Sequence, residues 1–439
     1  MKATNQDSLL KGKLMPILNE QSRSERQGWR RAAALGALAL GLVGAGACED
    51  ILSVDLPGNV ESEALNNPGF AQTLVAGAQN DFECGLNVYI QSASLWTTEL
   101  IDASTWATPR SWQTRLISSD GGAGSCPDET FRGAGTYGPY AQLQTARGQA
   151  ITAKTLIAGF SGVSNAAELI ATAEAYEGYA TLILGEAYCE MRLEETGSLL
   201  TPAQTVQAAA DLFQSAIGSA TGDVLNMARV GRARALARLG QLAAADAVAA
   251  SVPAGFVYNA THDASPTRRS NFVYIYNYDN LFTSVDEDFR GLLVNGAPDT
   301  RVPVTQGVGL VSNDGVTDMW LQEIYTSNDS DVPLATWVEA QLIRAEAALD
   351  ASDPVAAEGF IDAVRAFYGL DNFAADPGGT VTLADLLEER RRTLFLQGHR
   401  LGDLLTYGQP FKWSGGVDHK GRPMTTNTCF DLPDAETQG

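Results

Sequence analysis

The sequence predicts a mainly α-helical protein in which pairs of helices stack on one another to form an α-α superhelix. The first observation is that apolar residues recur at three- and four-residue spacing over much of the chain. The second is that two long insertions, about 84–136 and 254–333, are loop-rich and contain many aromatic, glycine and proline residues. With 45% hydrophobic and 19% charged residues, the 439-residue chain has the composition of a globular protein.

The first 47 residues, 1–47, have the pattern of an export signal. Residues 1–31 contain seven Lys or Arg against three Asp or Glu, and the following 16 residues contain no charge. Such a run is short for a membrane span and typical of the hydrophobic region of a signal peptide. It ends in Ala45-Gly46-Ala47-Cys48, which resembles the lipobox of bacterial lipoproteins. We expect cleavage before Cys48 and its lipidation; the alternative is an unmodified thiol at an ordinary signal-peptidase site.

The remaining chain, 48–439, is predicted to form a single domain that is anchored to a membrane and does not span it, since no other long apolar run occurs. Its four other cysteines are an even number, which in an exported protein indicates disulfides, with three possible pairings. We favour Cys84–Cys126, bracketing an irregular segment, and Cys189–Cys429, attaching the C-terminal tail to a helix. Their wide spacing, with only three histidines in the chain, disfavours a metal site.

Three helices are predicted ahead of the repeats. A helical pattern begins at Asn67-Pro68, a short second helix covers about Ser92–Thr105, and a third covers Tyr140–Ile157. Residues 106–136 contain prolines and glycines that interrupt any regular element, so they are predicted to be loop.

Two stretches, about 172–253 and 334–407, resemble helix pairs of the tetratricopeptide type. Leu184-Gly185 and Ala187-Tyr188 match the first-helix signature, with a loop near Glu190–Pro202 before the second helix. Small residues at such positions let paired helices approach closely, and each pair buries its apolar stripe only by stacking on a neighbour. Between the two stretches, Phe272–Tyr278 alternates like a strand, so we expect a minor β-hairpin inserted into the helical body.

Charged residues lie on the apolar faces of the last predicted helices. Glu339 and Glu346 fall between two apolar strips of the helix at 335–350. Arg390 lies at the centre of the leucine stripe of a helix predicted over Leu383–Leu405. Burying an unpaired charge is costly, so we predict that Arg390 pairs with Glu339 or Glu346 inside the stack, in a structural role.

The same helices carry three ordered motifs that resemble those of the SusD/RagB family. Their residues are Pro333-Leu334 with 337–347 (WVEAQLIRAEA), Ile361–Arg365 (IDAVR), and Glu389-Arg390 followed by Gly398-His399-Arg400 and Asp403-Leu404. The resemblance implies a surface-exposed, lipid-anchored outer-membrane protein of nutrient uptake, with a SusC-like TonB-dependent transporter as its partner.

No enzyme motif is found: the nucleophile elbow, the zinc H-E-x-x-H pair, the phosphate-binding glycine loop and a Cys–His pair are all missing from the sequence.

The formal net charge of −22 excludes nucleic acid as an expected partner. No cofactor is expected. Residues 312–315 and 328–331 could offer oxygens to calcium, but ordinary turn chemistry explains both. His399 is interpreted as a packing residue at a helix end.

Ligand recognition is the chemistry that remains. Sugars are bound by flat aromatic side chains together with hydrogen-bonding groups. Candidates for these roles are Trp96, Trp106, Arg110, Trp112, Tyr137 and Trp320. Trp106 and Trp112 are favoured because they flank Pro109 and Arg110 in predicted loop; for each aromatic the alternative is a place in the core.

The sequence therefore favours a non-catalytic surface lipoprotein that binds an oligosaccharide and hands it to a transporter. Two alternatives stay open: capture of a peptide instead of a glycan, and a helical-repeat scaffold of an outer-membrane complex with no small-molecule site.

Overall fold

A computed structural model describes residues 65–117, 139–194, 197–265, 269–374, 379–433 and 436. Most of these residues are helical, as predicted. In chain order the α-helices are α1 Ala71–Trp96, α2 Ala107–Thr114, α3 Pro139–Gly159, α4 Ala166–Ala187, α5 Pro202–Ile217, α6 Gly222–Arg238, α7 Leu242–Ala249, α8 Trp337–Asp350, α9 Pro354–Phe367, α10 Leu383–Thr393 and α11 Arg400–Thr406.

Local sequence determines where several helices begin. Thr201 and Thr382 each form a capping box with the residue three positions on, and Pro202 occupies the first position of α5. Thr336 caps α8 by accepting a hydrogen bond from the backbone N–H of Glu339 at 3.1 Å. These caps satisfy backbone donors that a helix end otherwise leaves unpaired.

The helices pack as the antiparallel pairs that the repeats predict: α4 with α5, α6 with α7, and α8 with α9. Small residues permit the close approach of neighbouring helices. A Cβ added at Gly231 would overlap the ring of Phe213, and one added at Gly178 would meet the same ring at 2.9 Å. Phe213 is therefore buried between α4 and α6, where no larger residue fits at these two positions.

Among the described residues, eight short strands form four antiparallel pairs: β1 with β3, β2 with β8, β4 with β5, and β6 with β7. Their bounds are β1 Leu100–Asp102, β2 Val257–Ala260, β3 Thr283–Val285, β4 Leu293–Val294, β5 Ala297–Pro298, β6 Val304–Gln306, β7 Trp320–Gln322 and β8 Val332–Thr336. The predicted minor β-structure in the second insertion is therefore present, although in several pieces.

The strand predicted at Phe272–Tyr278 is wrong. Phe272–Tyr274 is a helical turn that continues as a π-helical turn over Ile275–Asp279. Asn271 caps it by accepting from the backbone N–H of Tyr274 at 3.1 Å, and Tyr274 stacks on Tyr278 at a ring-centroid distance of 4.9 Å. These local contacts outweigh the strand propensity of an alternating aromatic run.

The short helix predicted at Ser92–Thr105 is also wrong. α1 continues to Trp96, Thr98 then adopts a φ of +59°, and the chain enters β1. Conversely, the predicted loop contains α2, which ends at Arg115 with a φ of +57°. The third predicted helix is confirmed as α3.

Arg390 is buried as predicted, but its predicted partners are wrong. Its guanidinium, in a residue 2% exposed, donates from Nε (3.1 Å) and Nη2 (2.7 Å) to the carboxylate of Asp403. The single helix predicted over Leu383–Leu405 is broken between α10 and α11, where Leu396 has a φ of +56°. The break turns Asp403 back toward Arg390, which a continuous helical pattern could not reveal.

Glu339 and Glu346 are buried on α8 among other charged groups. An oxygen of Glu339 lies 3.9 Å from Arg234 Nε and 3.7 Å from His399 Nδ1. Burial raises the pKa of Glu339 to about 7, although Arg234 and Arg390 oppose this. Burial also lowers the pKa of His399 well below its ordinary value, so this ring is a neutral packing residue at the start of α11.

The remaining motif residues complete two buried ionic networks. Arg238 donates to Glu186 (2.7 Å) and lies 2.8 Å from Asp403, which links α6 to α4 and α11. Glu389 accepts from Arg365 and Arg301, each at 2.5 Å. The conspicuous motif residues therefore hold the helices together, and no ligand contact is needed to explain them.

Glu99 follows α1 and is only 1% exposed, and its carboxyl should make the stability of the fold depend on pH. Its Oε1 accepts from the backbone N–H of Leu396 at 3.0 Å, and burial raises the pKa of its carboxyl to about 7. The folded state therefore retains a proton that the unfolded state releases above its ordinary pKa of 4.5, so this group's contribution to stability falls as pH rises toward 7.

Replacing Glu99 by Gln removes that titration while keeping the acceptor. From about pH 6 to pH 8, the free energy of unfolding of the wild type should fall by about 1.4 kcal/mol more than that of Glu99→Gln. Urea denaturation at the two pH values measures the difference. Equal changes in the two proteins would show that Glu99 does not titrate in this range.

Within the described ranges, no helix is both long and apolar enough to cross a bilayer. The predicted signal, 1–47, and the predicted lipid attachment point, Cys48, lie outside the described residues.

Candidate functional site

Residues 411–433, which follow α11 in the chain, are here called the C-terminal strap. It has almost no regular structure and is held to the helical body by the Cys189–Cys429 disulfide, whose two Cα atoms lie 5.2 Å apart. Beside it, Phe430 is fully buried against Trp96 (4.8 Å), Trp112 (4.9 Å) and Tyr188 (5.4 Å) between ring centroids. The end of the strap is therefore fixed by a covalent bond and an aromatic cluster.

Arg115, the residue that ends α2, holds the start of the strap through its side chain and Thr425 through its carbonyl. Its buried guanidinium donates to the carbonyls of Trp96 (3.0 Å) and Lys412 (2.8 Å) and lies over the ring of Phe411. Burial lowers the pKa of Arg115 to about 10, which still leaves it charged at neutral pH. Its own carbonyl accepts from the hydroxyl of Thr425 at 2.9 Å.

A second set of polar contacts joins the strap to β1. Asp102, which is fully buried, accepts from Arg422 Nη1 at 2.6 Å. The side chain of Gln113 donates to Asp418 at 2.8 Å and contacts the ring of His419 at 3.2 Å. The turn at 418–422 is therefore positioned by the first insertion of the chain.

Between the strap, β1 and the loop that joins β6 to β7 lies a cleft of about 480 Å³, here called the strap cleft. This volume is within the range of small-molecule sites. Its lining combines aromatic, aliphatic and charged side chains: Ile101, Asp286, Glu287, Arg290, Val316, Thr317, Asp318, Trp413, His419 and Lys420.

Trp413 and His419 form the aromatic surface of the strap cleft. Their rings are 5.8 Å apart between centroids with an angle of 29°, and both residues retain solvent access. Trp413 has a φ of +60°, which is unusual for a bulky residue and is held here by a turn in which Gly416 donates to its carbonyl. Partial burial lowers the pKa of His419, although Asp418 opposes this, so the ring is neutral at neutral pH.

The cations in the strap cleft and directly beside it are already paired with protein groups. Lys420 contacts both Asp314 and Asp102, and Lys412 lies 2.6 Å from Asp286. Burial by itself would lower the pKa of Lys412, but Asp286 and Asp288 raise it, so the ammonium stays charged.

Arg290 donates from Nε and Nη2 to the carbonyl of Val285, at 2.9 and 2.7 Å, and its guanidinium lies 4.8 Å from the ring centre of Trp320. Two of its three nitrogens and one of its faces are therefore occupied by protein groups.

Two of the predicted ligand residues are wrong. Trp96 and Trp112 are buried in the cluster around Phe430, where they support the strap. Their residue type and their place in an irregular region did not distinguish them from exposed aromatics, because their burial depends on a segment more than 300 residues away in sequence.

The other predicted ligand residues have different surroundings. Trp106 is 52% exposed and packs on Phe282, with the ring centroids 5.4 Å apart, and Arg110 is exposed on α2. Trp320 is partly buried beneath Arg290. Tyr137 lies outside the described residues. A ligand role for Trp106, Arg110 and Trp320 stays a prediction.

The cysteine predictions have separate outcomes. The Cys189–Cys429 pairing is confirmed. Cys126 lies outside the described residues, so Cys84–Cys126 stays a prediction.

Of the residues considered for calcium, Asp314 accepts from Ser312, Val316 and Thr317 and pairs with Lys420, which is the turn chemistry expected of such a segment.

Sequence reasoning missed the central residues of the strap cleft. Trp413 lies in a short glycine-rich segment without periodicity, and His419 has partners only after the strap folds across Gln113. The available signal was a tryptophan beside Pro410 and Gly415-Gly416 in a segment attached by a disulfide, which combines an aromatic residue with turn chemistry.

Several solved structures have a similar fold. A SusD superfamily protein from Bacteroides thetaiotaomicron aligns with a TM-score of 0.65 at 13% identity, over 85% of this chain and 98% of its own. A SusD-like carbohydrate binding protein from Bacteroides vulgatus has a TM-score of 0.59 and 16% identity, over 84% of this chain and 92% of its own. Surface glycan-binding protein A from Bacteroides uniformis has a TM-score of 0.61 and 12% identity, over 85% and 98%. No family model and no curated protein matches the sequence.

The chain therefore has the fold of the SusD superfamily, built on tetratricopeptide-like helix pairs, as the three motifs predicted. At sequence identities this low, the similarity establishes a shared fold and does not establish a shared ligand. What the strap cleft binds must be argued from its own residues.

Proposed function

We propose that this protein is a lipid-anchored protein of the outer membrane that binds an oligosaccharide in the strap cleft and passes it to a SusC-like TonB-dependent transporter. The observation that carries the proposal is the partly exposed Trp413–His419 surface in a cleft whose other walls combine charged and aliphatic side chains. The C–H faces of sugars stack on aromatic rings, and their hydroxyls bond to carboxylate and guanidinium groups. Two of the similar structures are described as carbohydrate or glycan binding, which supports a glycan as the ligand.

The strap cleft suits a ligand bound reversibly. It is open to solvent, and Asp102, Gln113 and Arg115 hold the backbone around it through hydrogen bonds. A site that is formed before the ligand arrives loses little conformational entropy on binding. We propose no catalytic role for it.

The test is the binding of purified protein to a broad glycan array, followed by titration calorimetry on the best ligand. Trp413→Ala should weaken binding about tenfold or more, because the aromatic surface loses its larger ring. Phe367→Ala is the matched control, since Phe367 is 45% exposed on α9 and does not line the strap cleft.

If no glycan binds, or if Trp413→Ala binds as tightly as the wild type, the proposed site is wrong. Co-purification with an outer-membrane barrel in the absence of any glycan response would favour the scaffold alternative. Mass analysis of the mature N-terminus tests whether Cys48 carries the lipid.

A further inference from the structure

The charges that face solvent around the strap cleft are not balanced. The side chains of Glu287 and Asp288 are 71% and 57% exposed, and Asp318 is also exposed. Lys412 and Lys420, by contrast, have side chains that are only 19% and 15% exposed. At the solvent-exposed edge of the cleft, here called its mouth, the carboxylates are therefore more exposed than the ammonium groups.

The cations also have little capacity left for a ligand. Lys412 lies within 3.2 Å of the carboxylates of Asp286, Glu287 and Asp288, and Lys420 contacts Asp314 and Asp102. An anionic ligand would have to displace these carboxylates or approach them. Either step costs free energy, because like charges repel and a buried ion pair is costly to separate.

Arg290 does not supply the free positive charge that an anionic ligand would need in the strap cleft. Its Nε and Nη2 donate to the carbonyl of Val285, and Trp320 covers one face of its guanidinium. Burial lowers the pKa of Arg290, although Asp286, Glu287 and Asp318, which all lie nearby, oppose this. The guanidinium is thus surrounded by negative charge, in a chain whose net charge is −22.

We infer that the strap cleft takes uncharged or amino-bearing oligosaccharides and rejects those that carry uronate or sulfate groups. The carboxylates at the mouth accept hydrogen bonds from sugar hydroxyls, and such charge-assisted bonds are stronger than neutral ones. A protonated amino sugar would gain further from the same groups. This inference rests on the proposed function, since it names the ligand class of that site.

The experiment compares glycans that differ only in charge. An array that spans neutral, amino, uronate and sulfated glycans is followed by calorimetry on matched pairs, such as an oligogalacturonide and its methyl ester. The uncharged member of each pair that binds should bind about tenfold or more tightly than the acid at low salt. Glu287→Lys with Asp318→Lys should reduce this ratio.

The matched control is Asp211→Lys with Asp350→Lys, which makes the same change of net charge at exposed positions on α5 and α8. It should leave the ratio unchanged. Acids that bind as tightly as their uncharged partners, with binding that Trp413→Ala abolishes, would overturn the charge inference and leave the proposed function standing. Failure of every glycan on the array to bind would overturn both.

Discussion

Arg390→Ala should lower the free energy of unfolding by about 3–5 kcal/mol, the usual cost of removing one partner from a buried ion pair. Arg390 is 2% exposed and makes two hydrogen bonds to Asp403. Its loss leaves Asp403 with Arg238 as its cation and removes a positive charge that opposes the raised pKa of Glu339. The helix α11 would lose its main polar contact with α10.

Denaturation by guanidinium chloride, followed by far-UV circular dichroism, measures this effect. Arg344→Ala is the matched control: Arg344 lies in the same motif region, but its pair with Asp246 is partly exposed, and such pairs contribute about 1 kcal/mol or less. A loss for Arg390→Ala no greater than that for Arg344→Ala would contradict the structural role given to the network.

Removal of the Cys189–Cys429 disulfide should cost about 2–5 kcal/mol, because the bond closes a long loop and restricts the unfolded chain. The variant is Cys189→Ala with Cys429→Ala, which leaves no free thiol at either position. Freeing this end of the strap should also make Phe430 and the backbone around Trp413 and His419 more mobile.

Hydrogen exchange read by mass spectrometry separates the two parts of this prediction. In the double variant, amides in the strap should exchange faster, while those in α5 and α6 should be unchanged at low denaturant. Stability equal to that of the wild type, with unchanged exchange in the strap, would show that the other contacts of the strap hold it without the disulfide.

The helical part of the molecule was largely predictable because its determinants are local. Apolar spacing predicted the repeat helices, and small residues predicted their close packing. The errors occurred where a tertiary contact or a single backbone angle decided the outcome, as at Thr98 and Leu396, whose positive φ values end or interrupt a helix.

The strap cleft was much less predictable. Its aromatic surface comes from the end of the chain, and its floor comes from β1, which lies more than 300 residues earlier in sequence. Trp96 and Trp112 satisfied the same compositional criteria as a ligand surface but are buried. Composition can indicate that aromatic residues are available, but it does not determine which of them keep solvent access.

Residue types at fixed spacing were enough to predict the helical class, the fold and the burial of Arg390. The four cysteines left three possible pairings open, and the structure contains the favoured pair Cys189–Cys429. The pairing of Arg390 with Asp403, and the cleft lined by Trp413 and His419, become visible only in the folded chain. Partner choice and solvent exposure depend on which distant segments meet, and that is settled by the packing of the whole chain.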